Sequence, residues 1–124
     1  MSTKILAIDD SRTIRNLLRV SLEGAGFEFH AACDGVEGVE MFPDVEPDVV
    51  ITDINMPNIN GLELLSFIRN NPQHVDTPVL VVTTEGAARD REKGLALGAT
   101  DYLVKPFENE VLIETVRRLL QEKE

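Results

Sequence analysis

Thiol and imidazole side chains are scarce in this sequence. Cys33 is the only cysteine, and His30 and His74 are the only histidines. A single cysteine cannot form an intramolecular disulfide, and these side chains are too few for a typical zinc site. We interpret all three as structural or surface residues, which leaves hard cations with oxygen ligands as the metals to consider.

Basic residues are also in short supply. The chain has 12 lysines and arginines against 22 aspartates and glutamates, for a formal net charge of −10. This excess of negative charge repels nucleic acid and anionic membrane surfaces, so we expect neither nucleic-acid binding nor membrane insertion. The apolar run after Lys4 is too short for a signal peptide or a spanning helix, and we expect a cytoplasmic protein.

Length and continuity predict a single domain over residues 1–124. A chain of this size builds one hydrophobic core, and no repeat, low-complexity tract or flexible linker interrupts it. We expect a monomer without a second, effector-sized domain.

Short β-rich runs alternate with segments of helical period, a pattern typical of parallel βα units. The predicted strands are Lys4–Ile8, Glu28–Ala32, Asp48–Thr52, Pro78–Thr83 and Asp101–Val104. The first, third and fourth are almost continuously apolar, which indicates central strands covered by helices on both faces. The first helix follows an N-cap at Ser11 and ends near Gly24 and Gly26. Further helices are predicted around Val36–Phe42, Leu62–Ile68, Ala87–Leu97 and Leu112–Leu120.

Charged and hydroxyl side chains close the predicted strands. Because ligands of open parallel sheets bind beyond the carboxyl ends of the strands, we expect these residues to meet at one edge. They are Asp9 and Asp10 after the first strand, Asp53 after the third, Thr83 and Thr84 at the fourth, and Lys105 at the fifth.

Three carboxylates within roughly 4 Å would repel by about 4 kcal/mol per pair at an effective dielectric constant near 20. Mg²⁺ would offset this repulsion, because it prefers carboxylates together with water and phosphate oxygens. Lys105 adds a positive charge and Thr83 a hydroxyl donor, the groups that hold an incoming phosphoryl group. We therefore predict phosphoryl transfer to a carboxylate. No glycine-rich turn follows the first strand, so nucleotide binding is poorly supported.

A set of motifs spans essentially the whole chain. It consists of Asp9-Asp10-Ser11, Thr52-Asp53-Ile54-Asn55-Met56-Pro57 through Gly61, Val82-Thr83-Thr84-Glu85, Gly98-Ala99 and Lys105-Pro106-Phe107. This set resembles the receiver domain of two-component response regulators, and most closely the single-domain chemotaxis (CheY-like) type. The resemblance implies a doubly wound α/β fold of the flavodoxin-like (βα)5 type, with a five-stranded parallel sheet in the order 2-1-3-4-5.

The resemblance also implies roles for the acidic residues. Asp53 would be the phosphoacceptor and would take the phosphoryl group from a phosphohistidine on a histidine kinase of the chemotaxis type. Mg²⁺ would be held directly by Asp10 and Asp53, through water by Asp9, and by the backbone carbonyl of Asn55. The chain would catalyse only its own phosphorylation and dephosphorylation, and we expect no other enzymatic activity.

The family pattern further implies a switch. Lys105 and Thr83 would act with the phosphoacceptor, and the Lys105-Pro106 peptide bond would be cis. The Thr83 hydroxyl would bond the phosphoryl oxygens while Tyr102 turns inward, and the output surface would comprise Ala87–Leu97, the fifth strand and the last helix.

Several positions depart from the commonest family pattern or are implied to set the lifetime of the phosphoryl group. Asn60 precedes Gly61 where aspartate is frequent, and we expect no loss of activity because asparagine also suits turns. Thr84 is bulkier than the alanine or glycine that is common there, and we expect it to narrow access to the acyl phosphate. Asn55 and Glu85 flank the same access path. We predict that Asn55 and Glu85 tune spontaneous hydrolysis of the acyl phosphate.

Three functional hypotheses follow. The first is a stand-alone response regulator in chemotaxis, whose partner is the flagellar motor switch protein or another effector, with a phosphatase as a further candidate partner. The second is a phosphorelay intermediate or phosphate sink without motor output. The third is an enzyme or carrier, and it fits less well. A Mg²⁺-dependent aspartyl phosphohydrolase would need a general acid where Asn55 stands, and Asp9 and Asp10 would repel the phosphate of a flavin cofactor.

Overall fold

The computed structural model describes residues 2–53, 61–84, 95–96 and 98–123, apart from the side chains of Leu62, Thr84 and Lys123. The strands are β1 (Lys4–Ile8), β2 (Glu28–Ala32), β3 (Val49–Thr52), β4 (Val79–Thr84) and β5 (Asp101–Lys105). All neighbours pair in parallel in the order β2-β1-β3-β4-β5, which confirms the predicted strand order. The predicted strand ends are correct to within one residue.

The described helices are α1 (Arg12–Gly24), α2 (Gly35–Val45), α3 (Gly61–Arg69) and α4 (Asn109–Lys123). Of the predicted helix Ala87–Leu97, residues 95 and 96 are helical, and the rest lies outside the described residues. None of the helices in the described part of the chain has the length and apolar character that a bilayer crossing requires.

Both ends of α1 lie where the sequence predicts them. The Ser11 side chain accepts a hydrogen bond from the Ile14 backbone N–H at 3.3 Å, as an N-cap does. Gly26 has a φ of 95°, which favours glycine just beyond a helix end. Helix α2 is longer than predicted, because it continues through Pro43 to Val45, where the buried side chain packs in the core.

The core consists of two apolar layers, one on each face of the sheet. Alternate residues of β1 enter opposite layers, so Leu6 and Ile8 pack with α2 and α3, whereas Ile5 and Ala7 pack with α1 and α4. Side chains buried on both faces explain why β1, β3 and β4 are almost continuously apolar. Helices cover both faces of this doubly wound sheet, so ligands have access at the end of the sheet where the carboxyl ends of the strands lie.

Arg69, at the end of α3, holds the segment that leads into β5. Its guanidinium donates from Nε to the Gly98 carbonyl at 2.8 Å and from Nη1 to the Thr77 carbonyl at 2.7 Å. It also donates to the Thr100 hydroxyl at 3.3 Å. Gly98 has a φ of 110°, so only glycine adopts this backbone conformation without strain. These contacts fix the start of β5 at the end of the sheet opposite the acidic residues.

Candidate functional site

Three carboxylates meet at the carboxyl ends of β1 and β3. Asp9 and Asp10 follow β1 directly, and Asp53 follows β3, which pairs with β1 through Ile8 and Thr52. Each carboxylate offers an oxygen within 4.8 Å of the others. Asp9 and Asp53 are buried, at 3% and 8% exposure, whereas Asp10 is exposed. The structure therefore brings together the three acidic residues that the sequence singled out, with one side open to solvent.

Lys105, the last residue of β5, bridges two of these carboxylates. Its Nζ lies 2.8 Å from Asp9 Oδ2 and 2.9 Å from Asp53 Oδ2. Burial acts to lower the pKa of Lys105, but the hydrogen bonds and negative charges of Asp9 and Asp53 outweigh it and raise the pKa. The lysine therefore stays charged, and the three carboxylates and the ammonium together have a formal charge of −2. A divalent cation matches this charge, and oxygen-only ligands suit Mg²⁺.

Thr83 contributes a buried hydroxyl in the strand between Asp53 and Lys105. The residue is fully buried in β4, and within the described part of the chain its Oγ1 has no hydrogen-bond partner. Its register partner is Val104, next to Lys105. A buried hydroxyl without a partner costs about 1–3 kcal/mol of stability, and the role of Thr83 at the site stays a prediction.

Tyr102 lies in β5, opposite Val81 of β4. It is half-buried and packs against the apolar layer formed with α2 and α3. Thr83 and Tyr102 thus lie in paired strands, and their coupling stays a prediction. The predicted cis peptide bond between Lys105 and Pro106 is confirmed.

Asn55, Asn60 and Glu85 lie outside the described residues, and only the backbone of Thr84 is described. The predicted effects of Asn55, Thr84 and Glu85 on phosphoryl lifetime, and the expected lack of effect of Asn60 on activity, stay predictions.

The cysteine and both histidines have local partners. The Cys33 Sγ lies 3.6 Å from Glu37 Oε2, and desolvation together with the Glu37 charge raises the pKa of the thiol, which disfavours a reactive thiolate. His30 pairs with Glu28 at 2.7 Å on the surface. His74 is buried, with Nδ1 3.1 Å from the Thr77 hydroxyl.

One residue at the site was not found from the sequence. The Arg15 guanidinium donates from Nη1 to the backbone carbonyl of Asp9 at 2.7 Å. Every residue has a backbone carbonyl, so the sequence does not show which one an arginine contacts. The one available signal was the position of Arg15 in the helix that follows Asp9-Asp10.

Comparisons with known proteins show the family of the chain. The family model for the response regulator receiver domain matches residues 5–117. The response regulator MprA of Mycobacterium ulcerans is 41% identical over 121 residues, which cover 98% of this chain and 51% of that protein. MprA of Mycobacterium leprae is 42% identical over 118 residues, which cover 95% of this chain and 51% of that protein. The chain thus spans about half the length of the curated relatives it matches.

Solved structures resemble the chain over its whole fold. The chemotaxis protein CheY4 of Vibrio cholerae has a TM-score of 0.91 and 39% identity, with coverage of 96% of this chain and 99% of that chain. A response regulator from Chloroflexus aurantiacus, described as putative, has a TM-score of 0.94 and 33% identity, with coverage of 98% and 99%. Because the family model matches residues 5–117 and the fold superposes on that of CheY4 with a TM-score of 0.91, the chain belongs to the response regulator receiver domain family.

Proposed function

We propose that this domain accepts a phosphoryl group on Asp53 from a histidine-kinase phosphohistidine, in a Mg²⁺-dependent reaction, and that phosphorylation switches partner binding. The observation that carries the proposal is the bridge from Lys105 to Asp9 and Asp53, next to Asp10. Two buried carboxylates paired with one half-buried lysine are unusual for a protein interior and are typical of a functional site.

The residues present fit a magnesium ion. Their ligand atoms are carboxylate oxygens within 4.8 Å of one another, and the exposed side leaves room for water and phosphate oxygens. Asp10 and Asp53 would hold the ion directly and Asp9 through water, and the backbone carbonyl of Asn55, which lies outside the described residues, would be a further ligand. The bound ion would neutralise charge on the phosphoryl oxygens during transfer.

The chain's own side chains supply the remaining steps. An Asp53 oxygen forms the bond to phosphorus while the bond from phosphorus to the donor imidazole nitrogen breaks, and that nitrogen takes up a proton. Lys105 pairs with the phosphoryl oxygens, and its present contact with Asp53 at 2.9 Å supports this role. The Thr83 hydroxyl, without a partner among the described residues, then donates a hydrogen bond to the same group.

We propose that residues 1–124 form one cytoplasmic, monomeric receiver domain that acts in chemotaxis, with a chemotaxis-type histidine kinase upstream and the flagellar motor switch protein as its effector. Likeness to CheY4 over 99% of that chain supports this output. The net charge of −10 argues against DNA binding by the domain itself. Its only catalysis would be its own phosphorylation and dephosphorylation.

The test combines phosphorylation with partner binding. The protein is incubated with a small-molecule phosphodonor with and without Mg²⁺, and the modified residue is identified by mass spectrometry, with Asp53→Ala as control. A peptide from the flagellar switch protein is then titrated against the protein with and without beryllofluoride. We expect Mg²⁺-dependent modification of Asp53 and tighter peptide binding by the activated protein. Modification without peptide binding would favour a relay or phosphate sink, and lack of modification would overturn the proposal.

A further inference from the structure

The three carboxylates of the site differ in what holds them. Asp9 accepts from the Ser11 backbone N–H at 2.9 Å and from Lys105 at 2.8 Å, and Asp53 accepts from Lys105 at 2.9 Å. Asp10 is exposed, and no group among the described residues donates a hydrogen bond to its carboxylate. The direction of the Asp10 side chain therefore depends on the backbone that carries it.

Arg15 holds that backbone. Its Nη1 donates to the Asp9 carbonyl at 2.7 Å, a short bond of the kind that a charged donor makes. The Asp9 carbonyl and the Asp10 Cα belong to one planar peptide unit, so fixing the carbonyl also fixes the position of the Cα from which the Asp10 side chain leaves. Arg15 is itself anchored, because it lies in the first turns of α1, which buries Leu18 and Leu22 against the sheet.

The contact between Arg15 and the Asp9 backbone is a hydrogen bond and not an ion pair. Within the described part of the chain, Arg15 forms no salt bridge, and its acceptor is a neutral carbonyl. We infer that Arg15 is a positioning residue for Asp10 and thereby sets the affinity of the site for a divalent cation. This inference rests on the proposed metal-dependent function.

An electrostatic role and a positioning role of Arg15 predict opposite changes in Mg²⁺ affinity when the side chain is replaced. A guanidinium near the site repels a divalent cation, so loss of its charge alone would strengthen Mg²⁺ binding. Loss of a positioning contact would weaken Mg²⁺ binding, because groups that orient metal ligands affect affinity as the ligands do. The sign of the change therefore distinguishes the two roles.

The experiment measures Mg²⁺ binding to the metal-free chain by isothermal titration calorimetry. Arg15→Met is compared with Arg12→Met, which removes the same charge from an exposed position one turn earlier in α1. We expect Arg15→Met to weaken Mg²⁺ binding about tenfold. Arg12→Met would leave binding unchanged or slightly tighter. Thermal unfolding of both variants in chelator reports whether the fold is retained.

Mg²⁺ binding by Arg15→Met that equals or exceeds that of Arg12→Met would overturn the inference. If Arg15→Met does not fold, the pair Arg15→Lys and Arg12→Lys decides, since both keep the charge and only the first alters the contact with Asp9. Weaker binding by Arg15→Lys alone supports positioning, and equal binding overturns it. Absence of Mg²⁺ binding by the unaltered chain would instead overturn the proposed function on which the inference rests.

Discussion

Lys105 Nζ lies 2.9 Å from Asp53 Oδ2, although 52 positions separate the two residues in the chain. The same ammonium also contacts Asp9, so the protein offsets part of the carboxylate repulsion with its own cation. In the proposed reaction Mg²⁺ would share these carboxylates with the lysine, so Lys105 would both compete with the metal and pair with the phosphoryl group.

Lys105→Met is expected to tighten Mg²⁺ binding and to slow phosphorylation of Asp53. Like charges a few Å apart repel by about 4 kcal/mol at an effective dielectric constant near 20, so we expect a gain in Mg²⁺ affinity of at least about tenfold. Calorimetric titration measures the affinity, and mass spectrometry follows modification by a small phosphodonor. Lys4→Met, at the amino end of β1, removes the same charge from the opposite end of the sheet. Weaker Mg²⁺ binding by Lys105→Met, or an equal change in Lys4→Met, would contradict the prediction.

The Lys105 bridge should also stabilise the fold in a pH-dependent way. The pKa of Lys105 is raised above its ordinary value of 10.5, so the folded state holds the proton more tightly than the unfolded state. The stabilisation is complete below pH 10.5 and is lost as pH rises through the folded-state pKa. Urea unfolding of the unaltered chain and of Lys105→Met, from neutral pH to about pH 12, measures it. A stability difference between them that stays constant over the alkaline range would count against the bridge.

Thr83→Val is expected to separate stability from signalling. The Thr83 hydroxyl is fully buried without a partner among the described residues, so its removal should raise the free energy of unfolding by about 1 kcal/mol or leave it unchanged. The activated variant should not bind partner peptide more tightly, because valine cannot donate to the phosphoryl group. Urea unfolding and peptide titration measure the two effects.

Thr52→Val provides the matched control for Thr83→Val. Thr52 is equally buried, but its hydroxyl donates to the Asp53 carbonyl at 3.0 Å. We therefore expect this variant to lose about 1 kcal/mol of stability. A similar loss in Thr83→Val would mean that the Thr83 hydroxyl has a structural partner.

Gly98→Ala should destabilise the fold at the anchor formed by Arg69. Gly98 has a φ of 110°, and an added Cβ would lie 2.9 Å from Arg69 Nε and 3.0 Å from Arg69 Cγ. We expect a loss of about 1–3 kcal/mol, measured by urea unfolding. Gly24→Ala, at the end of α1, meets no atom within 4 Å and should be neutral or gain up to about 1 kcal/mol. Equal stabilities for the two variants would argue against strain at Gly98.

The sequence alone determined the order of the elements and the residues that close the strands. Apolar runs and helical spacing are local features, so β1, β3 and β4 could be placed within one residue of their observed ends. Strand-end residues follow from the fold class, because the carboxyl ends of parallel strands share one edge. That reasoning selected Asp9, Asp10, Asp53 and Lys105, and the structure brings them together.

Only the tertiary structure decided the contacts that depend on distance and side-chain conformation. The bridge from Lys105 to both Asp9 and Asp53 requires three strand ends to be spaced to within a hydrogen bond. The bonds from Arg15 to the Asp9 carbonyl and from Arg69 to the Gly98 carbonyl have backbone acceptors. Every residue carries a carbonyl, so no pattern of residue types identifies the one that an arginine reaches, and packing of the helices on the sheet makes that choice.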